Sequence, residues 1–206
     1  MNKRFQKQLT QARRQQIIDA AVQVIAEQGF QNTTIKQIAA RAEVADGTIY
    51  NYFKNKDDIL LAIIRQVTEV EVRDLHFAEA QQMKLSDFVH EYVAHRMAEV
   101  DEGYPIMKVL IGETLANPQL VQQVYDEVYR PAFGAAEHFF QQLMAQGQLR
   151  NGDPALFARL FAAPVLGLLT LRMMGDDHVA ENWPAYAEAV GNGLLSMLEN
   201  KANSEK

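Results

Sequence analysis

The chain of 206 residues contains no cysteine, which excludes a disulfide framework, a thiolate nucleophile and a cysteine-ligated zinc finger. Its five histidines are scattered and form no dense ligand pattern such as HExxH, so we expect no metal site. The sequence also lacks the nucleophile motif GxSxG and a glycine-rich phosphate loop. We therefore expect neither a cofactor nor an enzyme.

Long hydrophobic runs are missing as well. The most apolar stretch, Ala155 to Met174, includes Arg159, Pro164 and Arg172, and its longest uncharged run has only twelve residues. A helix that spans a bilayer needs about 20 apolar residues, so this stretch is expected to be a buried core or interface helix. The N-terminal segment is basic and polar without an apolar signal core, and the sequence predicts a cytoplasmic protein.

Charge and proline are unevenly distributed along the chain. Residues 1–56 contain nine Lys and Arg against four Asp and Glu, whereas residues 57–206 contain eleven against twenty-two. All six prolines follow residue 104. This pattern indicates a small anion-binding unit followed by a larger helical body, although a basic disordered arm would give the same charge asymmetry.

Helical periodicity runs through the chain and no segment alternates as a strand does, so we predict an all-α fold of about nine helices. The first helix is expected to end at Gly29, and Thr33 or Thr34 to cap the second. A short third helix is predicted over Asp46 to Phe53. Asn55 is predicted to cap a fourth helix that extends to about Ala80.

Start signals of the same kind recur in the second half of the chain. Asn117-Pro118 and Asp153-Pro154 each place a capping residue before a proline at the first helical position. The predicted helices run from Ser86 to Val100, after Pro105, from Asn117 to about Gln146 with a possible kink at Pro131, from Asp153 to Met174, and from Trp183 to about Asn200.

Residues 35–52 show the spacing of a helix-turn-helix. Apolar residues occupy the fourth, eighth, tenth and fifteenth positions of this stretch, and Ala39 supplies the small fifth residue that a steep crossing of two helices requires. The ninth position, where a left-handed backbone favours glycine, is Glu43 at a cost of roughly 1 kcal/mol. Many two-helix corners share this spacing, so the flanking residues decide the interpretation.

The flanks, from Arg14 to Leu60, end in the run GTIYNYFKNKDDIL. Over about 47 residues this stretch resembles the N-terminal DNA-binding domain of the tetracycline-repressor (TetR) family of transcriptional regulators. The resemblance implies a three-helix helix-turn-helix domain over residues 1–55 and a helical ligand-binding and dimerisation domain over residues 56–206. It further implies a repressor that a small apolar or amphipathic ligand releases from a palindromic operator.

The same resemblance places residues 46–52 in the major groove as the recognition helix. Two of its residues have alternative interpretations: Asp46 reads a base or caps the helix, and Tyr50 contacts a phosphate or packs half-buried. Thr33 and Thr34 bind phosphate, cap the second helix, or do both. The predicted DNA contacts are Thr33, Thr34, Lys36, Ala45, Asp46, Gly47, Thr48, Tyr50, Asn51, Lys54 and Lys56.

Basic residues outside the motif leave further alternatives open. Arg41 contacts phosphate or pairs on the protein surface. The N-terminal segment forms either an arm that follows the minor groove or phosphates, or a disordered tail. Its basic residues are Lys3, Arg4, Lys7, Arg13 and Arg14.

The family resemblance also implies a homodimer, formed by the helices Ala155 to Met174 and Trp183 to Leu198 as a four-helix bundle. Small residues that permit close approach are Ala163, Gly167, Gly191 and Gly193, and the alternative is that both helices are buried inside one chain. The middle helices are predicted to enclose an effector. The candidate residues, each also an ordinary core residue, are Tyr92, Arg96, Tyr104, Met107, Ile111, Glu113, Tyr125, Tyr129 and Arg172.

Two rival functions remain open at this point. An enzyme would draw acid–base chemistry from Glu113, Asp126, His90 or His95. A helical adaptor would retain the helix-turn-helix without DNA binding, because Glu43 and Asp46 place negative charge near the DNA-facing side. Activity that survives Tyr50→Ala and Lys56→Ala would favour the enzyme, and a steep fall of DNA affinity with salt distinguishes the regulator from the adaptor.

Overall fold

The computed structural model describes residues 3–68 and 83–198, and every regular element within these ranges is helical. The all-α prediction is confirmed. In chain order the helices are α1 (Lys3–Gln28), α2 (Ile35–Arg41), α3 (Asp46–Ile49), α4 (Lys56–Val67), α5 (Leu85–Glu102), α6 (Tyr104–Ala116), α7 (Pro118–Val124), a π-helical turn (Tyr125–Tyr129), α8 (Arg130–Ala145), α9 (Pro154–Met173), α10 (Asp177–Glu181) and α11 (Trp183–Leu198). The predicted continuation of α4 to Ala80 lies outside the described residues.

The described residues form two compact units. The first unit comprises residues 3–68 and 104–125, and the second comprises residues 83–103 and 126–198. The first unit therefore holds α1 to α4 together with α6 and α7. A domain boundary at residues 55 and 56 remains a prediction.

The core of the first unit forms around α1, which contacts α2, α4 and α6. Ile17, Ala21 and Ile25 recur at the spacing that places side chains on one helical face, and all three are fully buried. Helix α1 ends as predicted, because Gly29 adopts φ +78° and its N–H bonds to the Ile25 carbonyl at 2.8 Å. Asn55 caps α4 by accepting from the Asp58 N–H at 2.8 Å.

The second unit packs most closely where α5 meets α11. The buried indole of Trp183 donates to the Met97 carbonyl at 2.7 Å. Gly191 is also buried here, and a Cβ at this position would lie 3.0 Å from the His90 ring. Gly191 therefore permits close approach within one chain, so its predicted place at a dimer interface is not supported.

Three elements differ from the sequence prediction. Helix α3 ends at Ile49 rather than Phe53, because the N–H groups of Asn51 and Tyr52 bond three residues back, at 3.2 and 2.9 Å. The predicted helix from Pro118 widens into a π-helical turn before Pro131, whose ring lacks an N–H and crowds the carbonyl four residues earlier. A short helix, Asp177–Glu181, was not predicted.

His90 joins α5 to α11 and makes this contact sensitive to pH. Its Nε2 lies 3.0 Å from the Asn192 Oδ1, and its Nδ1 lies 2.8 Å from the Ser86 carbonyl oxygen. These two acceptors, followed by the charges of Glu188 and Asp87, raise the pKa of His90 above its ordinary value. Protonated His90 therefore stabilises the fold at low pH, and this contribution is lost as pH rises through the raised pKa.

We expect the His90→Gln variant to lose less stability than the natural chain between about pH 5.5 and pH 8. Urea unfolding at a series of pH values measures the difference. His138→Gln, which removes an exposed histidine of α8, serves as the matched control. Parallel pH profiles for the His90→Gln variant and the natural chain would contradict this role of His90.

Candidate nucleic-acid interface

Helices α2 and α3 form the predicted helix-turn-helix. Ala39 is fully buried where the helices meet, and its carbonyl accepts from the Val44 N–H at 3.0 Å. Glu43 adopts φ +52°, the only positive φ of a non-glycine residue in the described part of the chain. The predicted left-handed turn is confirmed. Gln16 of α1 fixes the turn by donating from Nε2 to the Ala42 carbonyl at 2.7 Å.

Replacing Glu43 with glycine should stabilise the protein, because glycine adopts a positive φ without the clash that a Cβ causes. We expect a gain of roughly 1 kcal/mol in the free energy of unfolding. Urea denaturation of the full chain measures it. Glu43→Ala removes the same charge but keeps the Cβ and should show no such gain, so equal stability of the two variants would contradict the argument.

Helix α3 and the turn after it present a polar outer surface. Ile49 is fully buried and holds α3 against the unit, whereas Asp46, Gly47 and Asn51 are exposed. Tyr50 is 59% exposed, so the alternative of a half-buried packing aromatic is wrong. Ala45 is exposed and is itself the N-cap, so Asp46 is not. Thr48 is half-buried.

Thr33 and Thr34, in the loop before α2, have different roles. Thr34 caps α2 in a capping box, accepting from the Gln37 N–H at 3.3 Å while its own N–H donates to the Gln37 side chain at 2.8 Å. Thr33 is buried and donates its hydroxyl to the Gly29 carbonyl at 2.7 Å. Thr34 and Lys36 are exposed at the start of α2, whereas the Thr33 side chain faces the loop.

Lys56 has an intramolecular role that the sequence did not reveal. Its Nζ donates to the carbonyls of Phe30 and Thr33 at 2.7 and 3.0 Å and lies 4.3 Å from the centre of the Phe30 ring. A third, longer contact at 3.4 Å reaches the Gln31 carbonyl. Lys54, by contrast, is exposed. DNA contact by either lysine stays a prediction.

Arg41 pairs on the protein surface. Its guanidinium binds both carboxylate oxygens of Glu27 at 2.8 and 2.7 Å and donates to Gln23 at 3.2 Å. The hydrogen bond from Arg41 lowers the pKa of Glu27 below its ordinary value. This ion pair joins α1 to α2, and it is the surface pairing that the sequence left as one of two alternatives.

The basic N-terminal segment is helical from Lys3 onward rather than a disordered tail. Its basic side chains Arg4, Lys7, Arg13 and Arg14 are exposed. The Arg14 guanidinium lies 5.0 Å from the centre of the Phe53 ring, directly after the recognition segment. The N-terminal half of α1 is therefore a basic helical segment beside the motif.

The nine effector candidates fall into both units. Tyr92, Arg96, Tyr129 and Arg172 belong to the second unit, whereas Tyr104, Met107, Ile111, Glu113 and Tyr125 belong to the first. Effector binding by any of them stays a prediction.

Within the second unit, several candidates have protein partners. Arg172 binds Asp101 at 2.7 Å and lies 5.0 Å from the Trp183 ring. Arg96, largely buried, pairs with Glu99. Tyr92 packs 5.2 Å from Phe161 between ring centres, and Tyr129 lies 6.1 Å from Phe133.

Within the first unit, Met107 is buried, Tyr125 is exposed, and Tyr104 and Ile111 are half-buried. Glu113 accepts a hydrogen bond from the Gln31 side chain, which belongs to the loop between α1 and α2. The sequence contains no local signal for this contact, because the two residues are 82 positions apart.

Helix α9 leaves an apolar stripe on its outer face. Leu156, Leu160 and Leu171 are 53%, 39% and 44% exposed, and Ala163 and Gly167 are exposed between them. By length and composition α9 is the single helix of the described ranges that could cross a membrane, which is weak evidence on its own. No group of three or more His, Cys, Asp or Glu among the described residues is arranged to hold a metal ion.

Two family models match the chain. The model of bacterial regulatory proteins of the tetR family matches residues 17–63, and that of the AefR-like transcriptional repressor C-terminal domain matches residues 83–185. A curated relative, the fatty acid metabolism regulator protein of Bacillus subtilis, is 59% identical over 191 residues, which cover 90% of this chain and 95% of the relative. The match thus extends well beyond the helix-turn-helix.

Solved structures show the same fold. Salmonella enterica GusR aligns with a TM-score of 0.74 and 26% identity, covering 91% of this chain and 95% of that chain. The transcriptional regulator FadR from Bacillus subtilis, in complex with stearoyl-CoA, aligns with a TM-score of 0.69 and 24% identity, covering 87% and 98%. At this identity the alignment with FadR shows the fold alone.

Proposed function

Since the chain belongs to the TetR family of bacterial regulatory proteins, we propose that it binds a palindromic operator as a homodimer and that a small amphipathic effector releases it. The chain is a DNA-binding transcriptional regulator of this family. The observation that carries the proposal is the exposed polar face of α3 and the turn after it, held in place by the buried Ile49. The site of action is the cytoplasm, where the DNA lies.

Sequence recognition is assigned to the exposed and half-buried residues of the recognition segment. Asn51 has an amide suited to an adenine edge, and Asp46 an oxygen that accepts from cytosine. Thr48 presents a hydroxyl and a methyl, and Tyr50 a hydroxyl for a phosphate. The flanking exposed residues Thr34, Lys36, Ala45 and Lys54 border this surface. Gly47 is exposed and has no side chain, so its backbone can approach the DNA closely.

Phosphate contacts extend along the N-terminal half of α1. Arg4, Lys7, Arg13 and Arg14 are exposed, and no acidic residue precedes Asp19. A helical segment that carries only positive charges beside the recognition segment suits the DNA backbone, whose neutralisation dominates affinity. This segment begins before residue 17, where the family model starts to match.

The dimer is assigned to the outer faces of α9 and α11, the helix pair predicted from the family resemblance. The exposed leucines of α9 form a stripe that water solvates poorly, and Ala163 and Gly167 permit close approach. On α11 the exposed small residues are Ala185, Ala189 and Gly193. Two copies of this pair would form a four-helix bundle across a two-fold axis.

The effector is assigned to a class of amphipathic molecules with a long acyl chain. This assignment rests on the relative named a fatty acid metabolism regulator, which aligns with nearly the whole chain. Aromatic side chains give the second unit an apolar interior, where the ring centre of Phe88 lies 4.8 Å from that of Phe139 and 6.2 Å from that of Phe161. The effector acts only if its affinity differs between the DNA-binding and the released state.

Binding of the full chain to the intergenic DNA beside its own gene tests the proposal. We expect saturable binding that survives competitor DNA and a logarithm of the affinity that falls linearly with the logarithm of salt concentration. Stearoyl-CoA should release the DNA, whereas free CoA at the same concentration should not. Salt-insensitive or absent binding to any DNA would favour the adaptor or the enzyme, and release by CoA alone would contradict the acyl effector.

A further inference from the structure

The loop between α1 and α2, residues 29–34, is held by two helices that lie outside the helix-turn-helix. From the start of α4, the Lys56 ammonium binds the carbonyls of Phe30 and Thr33 at 2.7 and 3.0 Å. From α6, the Glu113 carboxylate accepts a hydrogen bond from the Gln31 side chain. All these residues belong to the first unit, so the contacts join parts of one compact body.

These contacts are made to the part of the loop that leads into α2 and therefore affects the position of α2. Phe30 and Thr33 are 6% and 2% exposed, so their carbonyls need partners within the protein. The Phe30 carbonyl also accepts from the Thr33 N–H at 3.1 Å, and the Lys56 ammonium supplies a donor to both carbonyls. It also compensates the repulsion between the carbonyl dipoles that converge on it. The next residue, Thr34, is the N-cap of α2, which packs on α3. A shift of the loop therefore moves α2 and α3.

We propose that Glu113 and Lys56 are positioning residues for DNA binding: Glu113 acts through Gln31, Lys56 acts through the loop carbonyls, and together they fix the α2–α3 pair. The inference rests on the DNA binding described above. Through Glu113, α6 contacts the loop that precedes the helix-turn-helix, so a displacement of α6 changes the affinity for DNA. It also assigns Lys56 a role inside the protein in place of a phosphate contact.

Salt dependence separates the two roles of Lys56. A lysine that neutralises a phosphate contributes about 0.9 to the slope of log affinity against log salt, which amounts to about 2 for the two lysines of a dimer. A lysine that positions the loop lowers the affinity without changing this slope. We expect Lys56→Ala to bind the operator about tenfold more weakly with an unchanged slope, and Lys56→Arg, which keeps a donor, to recover most of the loss.

A double-mutant cycle tests the role of Glu113. Operator affinity of the full chain is measured by fluorescence anisotropy for Gln31→Ala, Glu113→Ala and the double variant. Because both single changes break one contact, each should weaken binding by about 3- to 10-fold, and the double variant should be no weaker than the weaker single one. Glu113→Gln retains an acceptor and should bind within about twofold of the natural chain.

The control is Lys108→Ala, which changes an exposed charge on the same helix and should leave the affinity unchanged. Urea unfolding of each variant shows whether a loss of affinity follows a loss of stability. Unchanged affinity, additive losses or a Lys56→Ala slope lower by about 2 would overturn the inference. If the natural chain itself bound no operator, the proposed function would fail, and this inference with it.

Discussion

Gly47→Glu should weaken specific operator binding about 100-fold while the protein remains folded. Gly47 lies at the start of α3 with a negative φ, and a Cβ there meets nothing within 4 Å. A carboxylate in the first turn of a helix also interacts favourably with the helix dipole, so we expect the variant to fold as the natural chain does. On the DNA side, however, the new side chain adds bulk and negative charge where the backbone must approach the duplex.

The expected loss follows from the two recognition helices of a dimer. If each loses about 1.4 kcal/mol, which is within the range of one good base contact, the affinity falls about 100-fold in total. Anisotropy with the labelled operator measures it, and urea unfolding checks the fold. Gly134→Glu makes the same change at an exposed glycine of α8, in the second unit, and should bind as the natural chain does. Equal operator affinity of the Gly47→Glu and Gly134→Glu variants would show that α3 does not belong to the DNA interface.

Leu160→Glu should convert the dimer into monomers. Leu160 is 39% exposed near the middle of the apolar stripe of α9, so a single chain accommodates the carboxylate in water. In the proposed dimer the same carboxylate would be buried close to its symmetry mate, which costs several kcal/mol for each unpaired charge. Sedimentation of the full chain should therefore show half the mass of the natural protein.

Operator binding should fall with the dimer. A monomer contacts one half-site and retains about half of the binding free energy, so a nanomolar affinity should weaken by at least about 1,000-fold. Leu115→Glu makes the same substitution at a leucine of α6 that is 72% exposed, and it should leave the mass unchanged. A dimeric Leu160→Glu variant would show that the stripe of α9 is not the interface.

The features that could be predicted from the sequence are those that depend on a few adjacent residues. Gly29, Thr34 and Asn55 end or begin helices as expected because each acts on backbone groups within four positions. The left-handed turn at Glu43 belongs with them, because the apolar spacing around it fixes the number of residues in the turn.

The features that could not be predicted depend on distances between helices. No pattern in the sequence indicates that Lys56 turns toward the carbonyls of the preceding loop, or that Glu113 reaches Gln31. The orientation of a glycine on its helix is equally hidden, and Gly191 faces His90 rather than a second chain. Such contacts depend on how the helices pack against one another. The periodicity of the sequence indicates only which face of a helix is buried, not which residues of another helix it contacts.

Selection of DNA from a random pool by the full chain tests the central claim most directly. A dimer that presents two recognition helices should enrich an inverted repeat whose half-site centres lie about 34–36 Å apart or a multiple of that. The Gly47→Glu variant, treated in the same way, should enrich this repeat far less. Enrichment of a sequence without two-fold symmetry, or equal enrichment by both proteins, would contradict the account.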